Sequence, residues 1–90
     1  MTTIYKYQLK PNRTELNMPM GAQVLTVQVQ HGEVYLWAKV DETLKNECRV
    51  FDIYGTGHAV SNDPRLLYVA TFLMDGGDLV WHVFESTYIA

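Results

Sequence analysis

The segment Gly55-Thr56-Gly57-His58 has the residue types that come closest to a ligand-binding motif in this chain. Its glycines leave backbone N–H groups open to a phosphate, the Thr56 hydroxyl adds a donor, and His58 adds a donor or a positive charge. No helix pattern follows the segment, and it lacks the lysine of phosphate-cradling loops. A glycine-rich connection after a strand is therefore the alternative to a ligand loop.

Three further side chains complete the candidate binding site, namely Tyr35, Trp37 and Arg49. Arg49 supplies a cation for a phosphate, whereas Tyr35 and Trp37 supply flat faces on which a base can stack. A subunit interface, or packing beneath the N-terminal strand beside Tyr5 and Tyr7, is the alternative role for the two aromatic residues. The predicted ligand is a small anionic molecule such as a cyclic dinucleotide, with affinity that rises at mildly acidic pH if the histidine of the segment becomes charged.

The other reactive side chains do not form a catalytic or metal-binding motif. His31 lies at a predicted hairpin tip, and His82 faces Thr71 across a predicted strand pair, where a hydrogen-bonded histidine is the commoner role. No His-x-His or His-x-x-x-His spacing supports zinc, and Cys48 has no histidine near it in sequence. The sequence therefore predicts a protein that is not an enzyme, with no catalytic residue, no metal and no cofactor.

Length, charge and cysteine content restrict the class of protein. A chain of 90 residues fits a single domain over residues 1–90, and its small core favours support from partner subunits. Cys48 is the only cysteine, so no internal disulfide forms, and a net charge of −3 without a basic run disfavours binding to DNA or RNA. Residues 1–10 resemble neither a secretory signal nor a membrane span, so the cytosol is the expected compartment and no membrane partner is expected.

Alternation of polar and apolar residues, broken by turn signals about every ten residues, predicts an all-β fold. The predicted strands cover residues 4–9, 14–18, 22–30, 33–40, 48–54, 66–74 and 79–85. Residues 41–47 form a polar connection with room for one short helical turn. The expected architecture is a mainly antiparallel small sandwich or open barrel of about six to seven strands.

The apolar pattern of residues 22–40 defines the register of a hairpin. With His31-Gly32 as a two-residue turn, Gln30 pairs with Glu33, and one face becomes wholly apolar. The pairs predicted on that face are Val29 with Val34, Val27 with Leu36 and Leu25 with Ala38. The other face carries Tyr35 opposite Gln28, Trp37 opposite Thr26, and Val24 near Lys39.

A second hairpin, residues 66–85 closed around Gly76-Gly77, is apolar on both faces. The pairs predicted on one face are Phe72 with Trp81, Ala70 with Val83 and Met74 with Leu79. Those predicted on the other face are Val69 with Phe84, Leu73 with Val80 and the polar pair Thr71 with His82. One face needs cover from outside the core, and a second subunit is the simplest cover, with a helix or the tail Ser86–Ala90 as the alternative. We therefore expect a homo-oligomer.

Six stretches of the chain carry a family resemblance. They are Ile4-Tyr5-Lys6-Tyr7, Met18-Pro19-Met20-Gly21-Ala22, Val27-Gln28-Val29-Gln30, Leu36-Trp37-Ala38-Lys39-Val40-Asp41, Gly55-Thr56-Gly57-His58 and Val80-Trp81-His82-Val83-Phe84-Glu85. Together they resemble a widespread family of small bacteriophage proteins of similar length and unknown function, and residues 86–90 look like a variable tail outside the pattern. The resemblance implies a phage origin and action in the host bacterial cytoplasm, and it supplies no catalytic residue.

The resemblance also implies a class of function. Small non-enzymatic phage proteins often block host defences, either by gripping a host protein or by sequestering a nucleotide immune signal. The first expectation is therefore a homo-oligomeric immune-evasion protein that sequesters a small anionic ligand. The alternatives are a protein-binding inhibitor or phage accessory module without a small-molecule ligand, and a minor structural component of the virion.

Overall fold

The computed structural model describes residues 1–88, which form seven strands and one 3₁₀ turn. The strands are β1 (Thr2–Leu9), β2 (Arg13–Pro19), β3 (Gln23–Gln30), β4 (Glu33–Asp41), β5 (Asn46–Gly55), β6 (Leu66–Met74) and β7 (Leu79–Ser86). All five strand pairings are antiparallel, so the predicted all-β, antiparallel fold is confirmed. Within residues 1–88, no helix has the length and apolar character needed to cross a membrane.

The strands form two sheets with the orders β1-β4-β3 and β2-β5-β7-β6, and the sheets pack on each other as a sandwich. The inward side chains of β4 are Val34, Leu36, Ala38 and Val40, and all four are buried. They belong to one apolar cluster with residues from the opposite sheet, among them Met18, Phe51 and Val83. Because side chains alternate across a strand, the intervening residues of β4 point away from this core.

Residues with positive φ determine the turns. His31 and Gly32 both have positive φ, at 52° and 78°, as the tight turn predicted between β3 and β4 requires. The 3₁₀ turn is Asp75–Gly77, which joins β6 to β7. The polar connection at residues 41–47, where the sequence left room for one helical turn, is a tight turn, because the Asp41 side chain accepts hydrogen bonds from the Thr43 backbone N–H and hydroxyl.

The register of the first hairpin is confirmed from Gln30–Glu33 as far as Thr26–Trp37. Beyond that point a β-bulge changes the pairing, so Val24 lies opposite Ala38 where Leu25 was predicted. Val24 packs against the core, while Leu25 is 46% exposed. The extra residue in the bulged strand moves Leu25 out of the alternation that the sequence suggested.

The second hairpin behaves in the same way. Its pairs are confirmed from Met74–Leu79 as far as Ala70–Val83, and a bulge at Val69 then places Tyr68, rather than Val69, opposite Phe84. Val69 packs against the core instead. The two bulged strands, β3 and β6, lie side by side without a shared ladder, and they bring the edges of the two sheets together.

A buried carboxylate joins β2, β5 and β7. Arg13 donates two hydrogen bonds to Asp52, at 2.6 and 3.0 Å, and the Ser86 hydroxyl donates a third. Asp52 is 5% exposed, and burial alone would raise its pKa. The hydrogen bonds and the charge of Arg13 outweigh burial and hold the pKa of Asp52 below its usual value of 3.8.

Asp52→Asn removes the charge that Arg13 and Ser86 bind, and we expect it to lower the free energy of unfolding by about 1.5–3 kcal/mol at neutral pH. The folded-state pKa lies below the unfolded value, so the wild-type advantage is complete above about pH 4 and is lost as the pH falls through the folded-state pKa. Urea unfolding of both proteins across this pH range measures the difference. Asp78→Asn, which changes an exposed aspartate, is the control, and an equal loss in both variants contradicts the assignment.

Candidate functional site

The structure places the predicted site residues in three separate regions. Residues 55–58 begin at Gly55, the last residue of β5, whereas Arg49 lies six positions before Gly55 on the same strand, a distance of about 20 Å at about 3.3 Å per residue. Tyr35 and Trp37 lie on the other sheet, on its outer face. Arg49 and residues 55–58 therefore do not complete one pocket within a subunit.

Residues 55–58 form a turn that uses most of its own hydrogen-bonding groups. The Gly55 N–H donates to His58 Nδ1 at 3.1 Å, the Thr56 N–H donates to the Val80 carbonyl at 3.3 Å, and the His58 N–H donates to the Gly55 carbonyl at 3.1 Å. A phosphate-binding role for Gly55, Thr56, Gly57 and His58 stays a prediction, and these internal bonds favour the role of a structural corner.

The Thr56 hydroxyl belongs to a polar chain that crosses the outer face of the four-stranded sheet. Thr56 Oγ1 lies 2.8 Å from His82 Nε2, and Thr71 Oγ1 lies 3.0 Å from His82 Nδ1. The Tyr68 hydroxyl continues the chain at 2.8 Å from Thr71 Oγ1. The predicted hydrogen bond between Thr71 and His82 is thus confirmed.

The sequence pattern did not predict the hydrogen bonds that link Thr56 to His82 and Tyr68 to Thr71. Thr56 reaches His82 because the preceding residue, Gly55, pairs with Trp81 of β7. This pairing places Thr56 beside β7. Tyr68 reaches Thr71 because the bulge at Val69 returns Tyr68 to the outer face. A hydroxyl beside an imidazole is the start of a nucleophile–base pair, but the third group here is another hydroxyl, where triads ordinarily place a carboxylate. The hydrogen bonds hold the His82 imidazole and the Tyr68 ring in place.

Arg49 is held by an ion pair inside the sandwich. Its Nε and Nη2 donate to the two Glu85 carboxylate oxygens, both at 2.8 Å, and its Nη1 donates to the Ala22 carbonyl. The side chains of Arg49 and Glu85 are only 16% and 15% exposed. The hydrogen bonds to Glu85 raise the pKa of the guanidinium. Arg49 therefore joins β5 to β7 and to the residue before β3, and each of its three nitrogens already donates one hydrogen bond.

Tyr35 and Trp37 form the centre of what we call the aromatic face, the outer surface of the three-stranded sheet. Their rings lie 6.0 Å apart, and Lys6 Nζ lies 4.0 Å from the centre of the Tyr35 ring. Gln28 and Gln30 flank them on β3. The alternative in which they pack beside Tyr5 and Tyr7 is wrong, because those two tyrosines pair with Ala38 and Leu36 and so lie on the opposite face of the sheet.

The outer surface of β5, β6 and β7 is what we call the apolar face. Its members are Tyr54, Tyr68, Leu73, Val80 and Phe84, arranged around the polar pair Thr71 and His82. The Phe84 ring packs edge-to-face with Tyr54 and with Tyr68, at 5.7 and 5.6 Å between ring centres. Tyr68 is 61% exposed and Leu73 is 57% exposed.

The tail up to Tyr88 covers a different part of this sheet. Ser86 binds Asp52, the Thr87 N–H donates to the Arg65 carbonyl, and Arg65 stacks over the Tyr88 ring at 5.1 Å. These contacts hold the tail at the Asp52 end of the sheet and leave Leu73 exposed. No helix covers the apolar face in residues 1–88, and the last two residues of the predicted tail lie outside the described part of the chain.

The remaining candidates for metal binding lie apart in the described residues. Within residues 1–88, no three His, Cys, Asp or Glu side chains come close enough to hold a metal ion. Cys48 is exposed on β5.

The fold and its surfaces define a small two-sheet β-sandwich with one aromatic and one apolar outer face. Comparison with protein families places residues 1–89 in the family described as "Domain of unknown function (DUF7352)", and the chain belongs to that family. No curated protein matches the chain, and no solved structure matches it. The resemblance to a family of unknown function is confirmed at this level.

The turn at residues 55–58 gives a direct test of its structural role. A Cβ added at Gly55 would lie 2.7 Å from His58 Cε1 and 3.0 Å from Trp81 Cζ3, so we expect Gly55→Ala to destabilise the protein by about 1–3 kcal/mol. Shortening the nearer neighbour with His58→Ala should relieve part of that clash. A double-mutant cycle measured by urea unfolding gives the coupling between the two sites. Fully additive effects would show that residues 55–58 are not packed as described.

Proposed function

We propose that this chain is a non-catalytic binding protein that acts as a homodimer and binds a partner protein. The observation that carries the proposal is that no element of residues 1–88 covers either outer face of the sandwich, and that the two faces differ in chemistry. Homodimer interfaces are more apolar than the rest of a protein surface, whereas interfaces between separate proteins combine aromatic anchors with a polar rim. The apolar face fits the first description and the aromatic face fits the second.

The apolar face suits a second copy of the same chain. In a two-fold dimer the same patch faces itself, so a charge near the two-fold axis would meet its own copy. The residues that β6 and β7 contribute, from Tyr68 and Leu73 to Val80 and Phe84, carry no formal charge, and Thr71 and His82 satisfy each other. Burying this patch also supplies the apolar area that a chain of 90 residues lacks in its own core.

The aromatic face suits a partner protein. Tyrosine and tryptophan dominate the binding energy of many protein interfaces, where they lie near the centre and polar residues surround them. Tyr35 and Trp37 occupy this position, with Lys6, Gln28 and Gln30 around them. Because the face is part of a regular sheet held by the core behind it, little conformational freedom is lost on binding.

Sequestration of a small anionic ligand has less support than protein binding. The donors that such a ligand needs are engaged within the chain, since Arg49 is paired with Glu85 and residues 55–58 bond to one another and to Val80. The resemblance to small phage proteins supports action in the host bacterial cytoplasm. Blocking a host defence protein is the form of immune evasion that an aromatic binding face serves.

Leu73→Lys and Val80→Lys should each convert a dimer into a monomer, because each places a charge where the face would meet its own copy. Sedimentation equilibrium measures the mass, and circular dichroism checks that the sheet content is unchanged. Leu44→Lys, which changes an exposed leucine in the turn between β4 and β5, should remain a dimer. A monomeric wild-type protein would contradict the homodimer.

Trp37→Ala should leave the dimer intact and weaken partner binding by about 2 kcal/mol or more, the loss expected for a central tryptophan. A photo-crosslinking residue at Gln28, beside the aromatic pair, should then form one specific adduct in bacterial cells, and Trp37→Ala should abolish it. The same probe at Asn17, which is exposed on β2 of the other sheet, is the control. Identical adducts from both positions, or no adduct from Gln28, would contradict a partner site on the aromatic face.

A further inference from the structure

His82 lies in the middle of the apolar face and is the member of that face whose side chain type gains a charge near neutral pH. It pairs with Tyr54 of β5 on one side and with Thr71 of β6 on the other. Val80 and Phe84 are its neighbours along β7 on the same surface. A histidine ordinarily becomes charged between about pH 8 and pH 5, so the charge of this face depends on pH in that range.

The hydroxyl groups beside the His82 ring accommodate both of its protonation states. A neutral imidazole donates from one nitrogen and accepts at the other, whereas a charged imidazole donates from both. Thr56 Oγ1 lies 2.8 Å from His82 Nε2, and it can accept from the ring while it donates to the Val80 carbonyl at 3.3 Å. Thr71 Oγ1 lies 3.0 Å from His82 Nδ1, and it can accept from the ring while it donates to the Tyr68 oxygen at 2.8 Å. A single subunit therefore keeps both hydrogen bonds when His82 is charged.

The charged side chains around His82 do not compensate a charge on its ring. Within residues 1–88, no carboxylate forms an ion pair or a hydrogen bond with His82. On β5, Asp52 lies opposite Phe84 rather than opposite His82, and its carboxylate is bound by Arg13. Asp75 and Asp78 are exposed in the turn between β6 and β7, at the tip of the hairpin.

The other titratable side chains around His82 stay neutral or face away from it. Burial raises the pKa of Tyr54, so this phenol is uncharged across the range in which histidine titrates. Tyr68 on β6 is also a phenol. His58 packs against the Trp81 ring, 6.0 Å away between ring centres, and Trp81 points to the opposite side of β7 from His82.

We propose that the homodimer formed through the apolar face is pH-sensitive, with protonation of His82 dissociating it in mildly acidic conditions. This inference rests on the homodimer proposed above and adds its regulation. Two apolar faces that close over a charged imidazole remove water from it, and no carboxylate of the face repays that cost. In the separate subunit His82 is partly exposed, so the charged ring keeps its water and both hydroxyl partners. A proton therefore favours the separate subunits over the dimer.

The effect of acid on the net charge of the chain has the opposite direction. The net charge is −3 with neutral histidines, and protonation of all three histidines brings it to zero. Repulsion between copies then weakens, which favours association. Dissociation in acid therefore indicates a charge inside the interface rather than a general effect of net charge.

Sedimentation equilibrium at about pH 7.5 and about pH 5.5 tests the inference, with circular dichroism to check the fold at both values. We expect the dissociation constant of the dimer to rise about 100-fold in acid, because each dimer that dissociates takes up two protons and histidine ordinarily titrates near pH 6.5. His82→Gln retains a hydrogen-bonding side chain without a titratable charge, and its dimer should be equally stable at both values. His31→Asn and His58→Gln change the other two histidines and should retain the wild-type response.

A second measurement uses the wild-type protein and decides the question even if His82→Gln does not fold. Because linkage is reciprocal, dilution at about pH 6.5 should raise the protonated fraction of His82, read from the proton signals of its ring by nuclear magnetic resonance. A monomeric wild-type protein at about pH 7.5 would contradict the homodimer and this inference with it. A dimer that is equally stable or more stable at about pH 5.5, acid dissociation that persists in His82→Gln, or a protonated fraction that is independent of dilution would overturn the pH sensitivity and leave the homodimer standing.

Discussion

The four inward side chains of β4 pack against the opposite sheet, and the remaining features of the molecule depend on that contact. Val34, Leu36, Ala38 and Val40 are buried, and truncation of a buried leucine in such a core ordinarily costs about 2–5 kcal/mol. The same alternation forces Tyr35 and Trp37 outward, away from the core. The aromatic face is thus a direct consequence of how the core is built.

Two arginine–carboxylate pairs join the strands of the four-stranded sheet. Arg13 binds Asp52 across β2 and β5, and Arg49 binds Glu85 across β5 and β7. Each pair satisfies a poorly exposed carboxylate, and the loss of either partner would leave a charge without compensation. These pairs also engage two arginines that an anionic ligand would have needed. Function is therefore expected at the aromatic and apolar faces.

Alternation in the sequence was sufficient to predict the all-β fold, both hairpin tips and most of both registers, because period-two burial leaves one register with an apolar face. The bulges at Leu25 and Val69 were not predictable in this way. Leu25 and Val69 are both apolar, so inserting either one into its strand does not place a polar residue where the alternation expects an apolar one.

The candidate site was only partly predictable, for a related reason. The contact between Thr71 and His82 follows from a local hairpin, whereas the pair between Arg49 and Glu85 needs β5 to lie beside β7, which skips a strand in the chain. Arg49 was therefore predicted to bind an anionic ligand, whereas in the structure its guanidinium binds the Glu85 carboxylate. The separation of residues 55–58 from Arg49 follows instead from their places along one strand, since six residues of extended chain lie between Arg49 and Gly55.

The central claim is that the apolar face meets a second copy of itself. An isotope-filtered nuclear Overhauser spectrum of mixed labelled and unlabelled protein reports contacts between copies only. A dimer formed through the apolar face gives signals that join the methyl groups of Leu73 and Val80 to the ring protons of Phe84 in the partner copy. Absence of any signal between copies, or signals confined to Tyr35 and Trp37, would contradict it.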